Sequence, residues 1–233
     1  MDVSPKRFVQ VGGVTGLASA KILLRQLVRP SSQQIHDVTL WWASRICEIC
    51  DIQVRAKGVG NIDWCQNIVI VANHRSYADV IALVKSVPRV PVFLAKREFI
   101  KIPLLGAAMR QAGHVFVDRK SHSQAVRAVN DASTQIQPGL PLVVFPEGTR
   151  TRGEGVGSFK KGGFHLAHAA KAAILPVGIV GADIAWPPSS LTPLSGVIEV
   201  RFGTALPFSD YGNLTIEAMA TLARQKVIDL VST

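Results

Sequence analysis

The chain has 233 residues, 48% of them apolar and only 18% charged, a balance that excludes a disordered chain and leaves room for one sizeable core. Its 26 Lys and Arg outnumber 16 Asp and Glu, a net of +10. That excess calls for a polyanionic partner: an anionic bilayer, a phosphate-bearing substrate, an acidic carrier protein or nucleic acid.

Residues 1–50 read as two helices broken at Arg29, Pro30, Ser31 and Ser32. Apolar residues recur at spacings of three and four, through Phe8, Val11, Val14, Leu17 and Ile22, then Ile35, Val38, Trp41, Trp42, Ile46 and Ile49. Lys6, Arg7, Lys21, Arg25 and Arg29 flank the first stripe. Basic residues with a Trp pair resemble a helix lying in the headgroup region, and the mean hydropathy of +0.25 agrees with apolar surface turned away from water. The plainer alternative is a helical hairpin packed on the core. No apolar run reaches the roughly 18 residues of a simple membrane span. The uncharged stretch 8–20 could be a signal peptide, but more amphipathic helix follows it, which argues against cleavage. Cys47 and Cys50 make a lone C-x-x-C, and Cys65 is the third cysteine. They read as small residues of a reducing compartment rather than a disulfide or zinc framework.

From residue 51 to 233 the pattern alternates. Runs rich in Val, Ile and Phe at 52–57, 67–72, 90–95, 114–117, 141–145, 174–180 and 197–202 predict strands. Helical segments are predicted near 77–86, 103–111, 121–136, 160–171 and 214–231. The alternation predicts an α/β domain with a mainly parallel or mixed sheet of about seven strands, flanked by helices and preceded by the N-terminal pair.

Two segments carry chemistry. The first, Asn73-His74-Arg75-Ser76-Tyr77-Ala78-Asp79, follows directly on a strand, where α/β sheets place functional groups. On a regular helix, i and i+5 are offset by about 140°. His74 and Asp79 therefore meet only if the imidazole sits on the turn and the carboxylate in the first helical turn, with Ser76 as N-cap. Such a pair can take a proton from an alcohol, the carboxylate fixing the tautomer and stabilising the imidazolium. The competing reading makes Ser76-x-x-Asp79 a capping box with no chemistry.

The second segment is Phe145-Pro146-Glu147-Gly148-Thr149-Arg150, again at a strand end. Arg152, several glycines, Lys160, Lys161 and Gly162 follow. A cationic, glycine-rich loop leading to a helix suits a phosphate, with a solvated basic loop as the alternative. Glu147 can orient Arg150 through a salt bridge. His165 and His168 are spaced i, i+3 but lack ligand partners, so no metal is predicted. The absence of G-x-S-x-G argues against a hydrolase, and the 6% aromatic content without basic–aromatic interleaving argues against nucleic acid.

Together the segments resemble the 1-acyl-glycerol-3-phosphate acyltransferase family of phospholipid and glycerol-phosphate acyltransferases. N-H-x4-D appears as Asn73, His74 and Asp79, and F-P-E-G-T-R-S as Phe145 to Arg150 with Thr151 in place of Ser. Weaker blocks match at Lys96-Arg97-Glu98-Phe99 with Pro103, Gly106, Gly113 and Asp118-Arg119, and at Leu175-Pro176-Val177. The resemblance implies a membrane-docking helical pair before an α/β core, a His74–Asp79 dyad, and direct acyl transfer without an acyl-enzyme. It puts the acceptor phosphate near Lys96, Arg119, Glu147, Gly148, Thr149 and Arg150, with Lys160 and Gly162 continuing the loop. The implied reaction moves a fatty acyl group from acyl carrier protein or coenzyme A to the sn-2 hydroxyl of 1-acyl-glycerol-3-phosphate, with no cofactor. Oxyanion donors are sought among the amides near Ser76. Related acceptors (glycerol 3-phosphate, a lyso-ornithine lipid or another lysophospholipid) remain open, as does a basic binding module without activity. The implied location is the cytoplasmic face of a membrane, as in a bacterial inner membrane.

Overall fold

The computed structural model describes residues 4–25, 31–117, 139–151, 153 and 155–233. The helix predicted at 121–136 lies outside them. All seven predicted strands form: β1 (Ile52–Lys57), β2 (Ile68–Ala72), β3 (Val92–Lys96), β4 (Val115–Val117), β5 (Leu142–Val144), β6 (Ala173–Val180) and β7 (Gly196–Phe202). They build one sheet in the order β1-β7-β6-β2-β5-β3-β4. Neighbours from β6 to β4 run parallel, β7 is antiparallel to β6, and β1 is parallel to β7.

Every residue of β2 is buried, as expected of a parallel strand covered on both faces. Its side chains alternate between two cores. Ile68, Ile70 and Ala72 join α3 (Ala78–Ser86) and the C-terminal half of α2 (Ser32–Cys50) on one face. Val69 and Val71 join α5 (Gly162–Ala169) and α8 (Ile216–Ser232) on the other. Two short helices, α6 (Ala182–Ala185) and α7 (Phe208–Tyr211), add Ala182 and Ala185 to the first core and Tyr211 to the second.

The strand order matters for function. After β2 the chain leaves through α3 toward β3, whereas after the adjacent β5 it leaves through α5 toward β6, in the opposite direction. The two connections pass each other on opposite faces of the sheet, α3 over one core and α5 over the other, so the loops leaving the adjacent carboxyl ends of β2 and β5 lie side by side, at the end of the sheet where α/β folds place functional groups. Both sequence motifs begin there.

The N-terminal pair is α1 (Pro5–Arg25) and α2, whose start is fixed by a capping box between Ser31 and Gln34. The break predicted at 29–32 falls between them, with residues 26–30 outside the described set. Ala18 and Ile22 of α1 pack on Val38 of α2 and Ala108 of α4 (Leu105–Gln111). α1 leaves Phe8, Val9, Leu17 and Leu24 exposed. No described helix is long and apolar enough to cross a membrane.

Candidate active site

Asn73 ends β2 by extending the sheet with its side chain. Its amide donates to the Ile179 carbonyl at 2.8 Å and accepts from the Ile179 N–H at 2.7 Å, as a ladder residue would. The chain then turns, and His74 meets Asp79 with Nδ1 2.8 Å from Oδ2. The same Oδ2 accepts the Arg75 and Ser76 N–H groups, each at 2.8 Å. The capping box offered in sequence does not form, because Ser76 Oγ takes the Ala78 N–H rather than that of Asp79; Asp79 instead holds both the imidazole and the amides of the turn from one oxygen.

Two local expectations are corrected. Ser76 is not the N-cap of α3: Tyr77 holds that position without a side-chain bond, and Ser76 Oγ instead accepts from Ala78 N–H and donates to the Trp186 carbonyl. The amides of Arg75 and Ser76 are not available as oxyanion donors, because Asp79 occupies both.

Asp79 is fully buried, and its Oδ1 has no partner among the described residues. A buried carboxylate held by three donors fixes the imidazole and leaves Nε2 as the nitrogen able to accept a proton. The His74 ring stacks on Phe145, centroids 4.1 Å apart and planes 17° from parallel, so the two motif loops touch at the ring itself.

The main chain ties them more tightly. His74 N–H donates to Glu147 Oε1 at 2.7 Å, and the His74 carbonyl accepts from Thr151 N–H at 2.8 Å. Glu147 Oε2 accepts from Gly157 N–H at 3.1 Å and from the Thr151 hydroxyl. Both oxygens of Glu147 thus face protein donors, and no described Glu147–Arg150 ion pair forms. Burial pushes its carboxyl pKa above the ordinary range, against the lowering effect of the His74 and Gly157 amides. The sequence offered Glu147 as a phosphate contact or an Arg150 partner; the geometry makes it the strut between loops.

The cations gather beside this strut. The Arg150 guanidinium lies 3.8 Å above the Tyr77 ring, and its Nη1 is buried with no partner among the described residues. Gly148 takes φ +75°, and a Cβ there would stand 2.8 Å from Lys160 Nζ. The positive φ of the turn is what favours glycine here, since the end of the flexible lysine could move aside. Lys160 N–H bonds the Pro146 carbonyl at 2.8 Å. Thr149 is exposed, and Gly162 opens α5. Lys96 ends β3 on the same sheet edge, exposed and paired with Glu98 at 3.1 Å. Arg119 lies outside the described residues, as does Arg152.

Sequence reasoning missed several supports. Arg75 pairs with Asp183 at 2.8 Å, and Trp186 leans on Tyr77. Arg224 of α8, a helix without a motif, donates to the Gly157 and Val156 carbonyls at 2.7 and 2.5 Å. Only the i, i+5 acid–base spacing and the glycine–cation run signalled the site; these props come from segments distant in the chain. Among the described residues, no group of three His, Cys, Asp or Glu side chains could hold a metal ion.

A model of the family described as acyltransferase matches residues 53–180, more than half of the chain and both motif loops. A 1-acyl-sn-glycerol-3-phosphate acyltransferase of Cocos nucifera is 31% identical over 61% of this chain and 47% of its own length. The human alpha form is 29% identical over 76% of this chain and 63% of its own. The chain thus spans about half to under two thirds of these relatives. An acyltransferase of the same name from Salmonella typhimurium is 27% identical over 80% of this chain and 77% of its own length. The crystal structure of the 1-acyl-sn-glycerophosphate acyltransferase from Thermotoga maritima has the same fold, with a TM-score of 0.80, 24% identity, and coverage of 96% of this chain and 91% of that one. By the match across both loops, this chain belongs to the acyltransferase family.

Proposed function

We propose that the protein moves a fatty acyl group from a thioester of acyl carrier protein or coenzyme A to the sn-2 hydroxyl of 1-acyl-glycerol-3-phosphate, giving phosphatidate. The observation that carries this reading is the double role of His74. Its ring pairs with Asp79, while its own N–H and carbonyl are bonded to the loop that bears Arg150. That linkage supports a base held beside a phosphate anchor, the arrangement needed for an alcohol and a phosphate on one small headgroup.

In the proposed reaction, Arg150 holds the acceptor phosphate with Lys160 and the Gly148–Thr149 turn, and Lys96 and Arg119 assist. His74 Nε2 takes the hydroxyl proton as the oxygen attacks the thioester carbonyl. The tetrahedral intermediate expels the thiolate, which receives the proton from the imidazolium. Asp79 stabilises the imidazolium between these transfers. No acyl-enzyme forms and no cofactor takes part.

The same reading makes residues 1–50 a docking segment for the cytoplasmic face of an anionic membrane. The exposed apolar side chains of α1, the ring of Trp41 beneath Lys21 Nζ at 3.6 Å, and the net charge of +10 support it.

Transfer of labelled acyl groups from each donor to a panel of lysolipids, with vesicles present, tests the proposal. His74→Ala should lower kcat about 10²–10⁴-fold in a folded protein. Arg150→Ala should mainly raise the KM for lysophosphatidate, leaving transfer to phosphate-free acceptors unchanged. Undiminished transfer by the His74 variant would remove the mechanism, and equal KM values would remove the phosphate assignment.

A further inference from the structure

Between β3 and α4 the chain makes a turn that costs folding energy and exposes apolar surface. After the 3-10 turn Arg97–Lys101, Leu104 adopts φ 60° and ψ −52°, and Leu105 N–H bonds the Pro103 carbonyl at 2.6 Å. This is a γ-turn of the rare positive-φ kind, strained for any side chain beyond glycine. Gly106 presses so closely on the 3-10 turn that a Cβ would sit 2.4 Å from the Ile100 carbonyl oxygen. Leu104, strained as it is, buries little: it is 53% exposed, beside Ile102 at 43%. Strain combined with exposure gives a leucine no folding advantage.

We infer that the Ile102–Leu104 turn is a second bilayer contact, inserting among anionic lipids next to α1. The inference rests on the membrane reading of α1 above and names a site outside the N-terminal pair. Its charge fits an anionic surface: residues 96–110 carry Lys96, Arg97, Lys101 and Arg110 against Glu98 alone, and basic residues flanking an inserted apolar tip add attraction near such a surface. Its position fits too. The helix that follows, α4, packs through Ala108 on Ala18 and Ile22 of α1, so the turn adjoins the helix that exposes Leu17 and Leu24. The strand that precedes it ends at Lys96, on the sheet edge of the phosphate loop. Insertion here would hold the candidate active site at headgroup depth, so a lysolipid could reach it without leaving the bilayer.

The test uses the full chain with Cys65→Ser and a single environment-sensitive label at Leu104→Cys, Leu17→Cys or Leu222→Cys. Vesicles of phosphatidylcholine with phosphatidylglycerol should blue-shift the labels at 104 and 17 and leave the label at 222, on α8, unchanged. A shift at 17 without one at 104 overturns the inference and leaves the α1 reading standing. No shift at 17 or 104 overturns both, and an equal shift at 222 would mean unspecific adsorption and overturn both as well. In addition, Leu104→Gly relieves the positive φ, so Tm should hold or rise while vesicle affinity falls about tenfold, the loss of one buried leucine. Unchanged affinity in that variant would refute insertion.

Discussion

Glu147 decides more than any charge in its loop. Its two oxygens accept from His74, Gly157 and Thr151, so the His74 turn and the loop bearing Arg150 share one carboxylate. Glu147→Gln would turn a donor toward groups that are themselves donors, leaving one of them buried and unpaired. The expected loss is about 2–3 kcal/mol in denaturant unfolding, with a fall in kcat as His74 loses its mooring. The pH dependence has a definite sign. Because burial raises the folded pKa, the folded state binds this proton more tightly than the unfolded chain. The stability linked to Glu147 therefore declines as pH rises from the ordinary carboxylate value through the raised folded one. That decline should be missing from the Gln variant; a wild-type-like slope there would assign it to another group. The acid–base spacing of His74 and Asp79 was legible in sequence because it is local, whereas the Glu147 bond spans 73 positions and leaves no local trace.

Elements were legible where composition is strong. All seven strands were found: β2, β5 and β6 because buried strands demand continuous apolar runs, and β7 because one half-buried face gives alternation, while most ends moved by a residue or two. The start of α3 was misread because Ser76 has a stronger partner, the Trp186 carbonyl, than the cap position offers. At the β3–β4 edge, His114 falls in the strand predicted at 114–117 but stands just before β4 (Val115–Val117). Its Nδ1 accepts the Phe93 N–H at 3.2 Å, and burial pushes its pKa down to about 4 from 6.5. The unfolded chain therefore binds this proton at a higher pH than the folded one. Stability should fall as pH drops from about 6.5 to about 4. In a His114→Gln variant, Tm against pH should flatten across that window, and an unchanged profile would show that another group governs it.

At the scale of the molecule, the proposed docking makes the +10 charge and the exposed apolar residues of α1 parts of one surface, that of a basic protein facing an anionic bilayer. Association with phosphatidylglycerol vesicles should weaken by about tenfold or more between low and high salt, as the Debye length shrinks from about 10 Å at 0.1 M to about 3 Å at 1 M. Sedimentation with vesicles measures this, and salt-independent binding would make apolar insertion the whole interaction. Sequence by itself determined the element types, the two motif loops and the charged, apolar character of the N-terminal pair, since each follows from residues close together in the chain. Only the tertiary structure decided that β5 lies beside β2, which brings Phe145 onto the His74 ring and Glu147 onto its amide. It alone also showed that Arg224, at the far end of the chain, braces the loop after Glu147, and that Leu104 takes a positive φ while staying exposed. Such contacts depend on strand order and close packing, which no stretch of local pattern encodes.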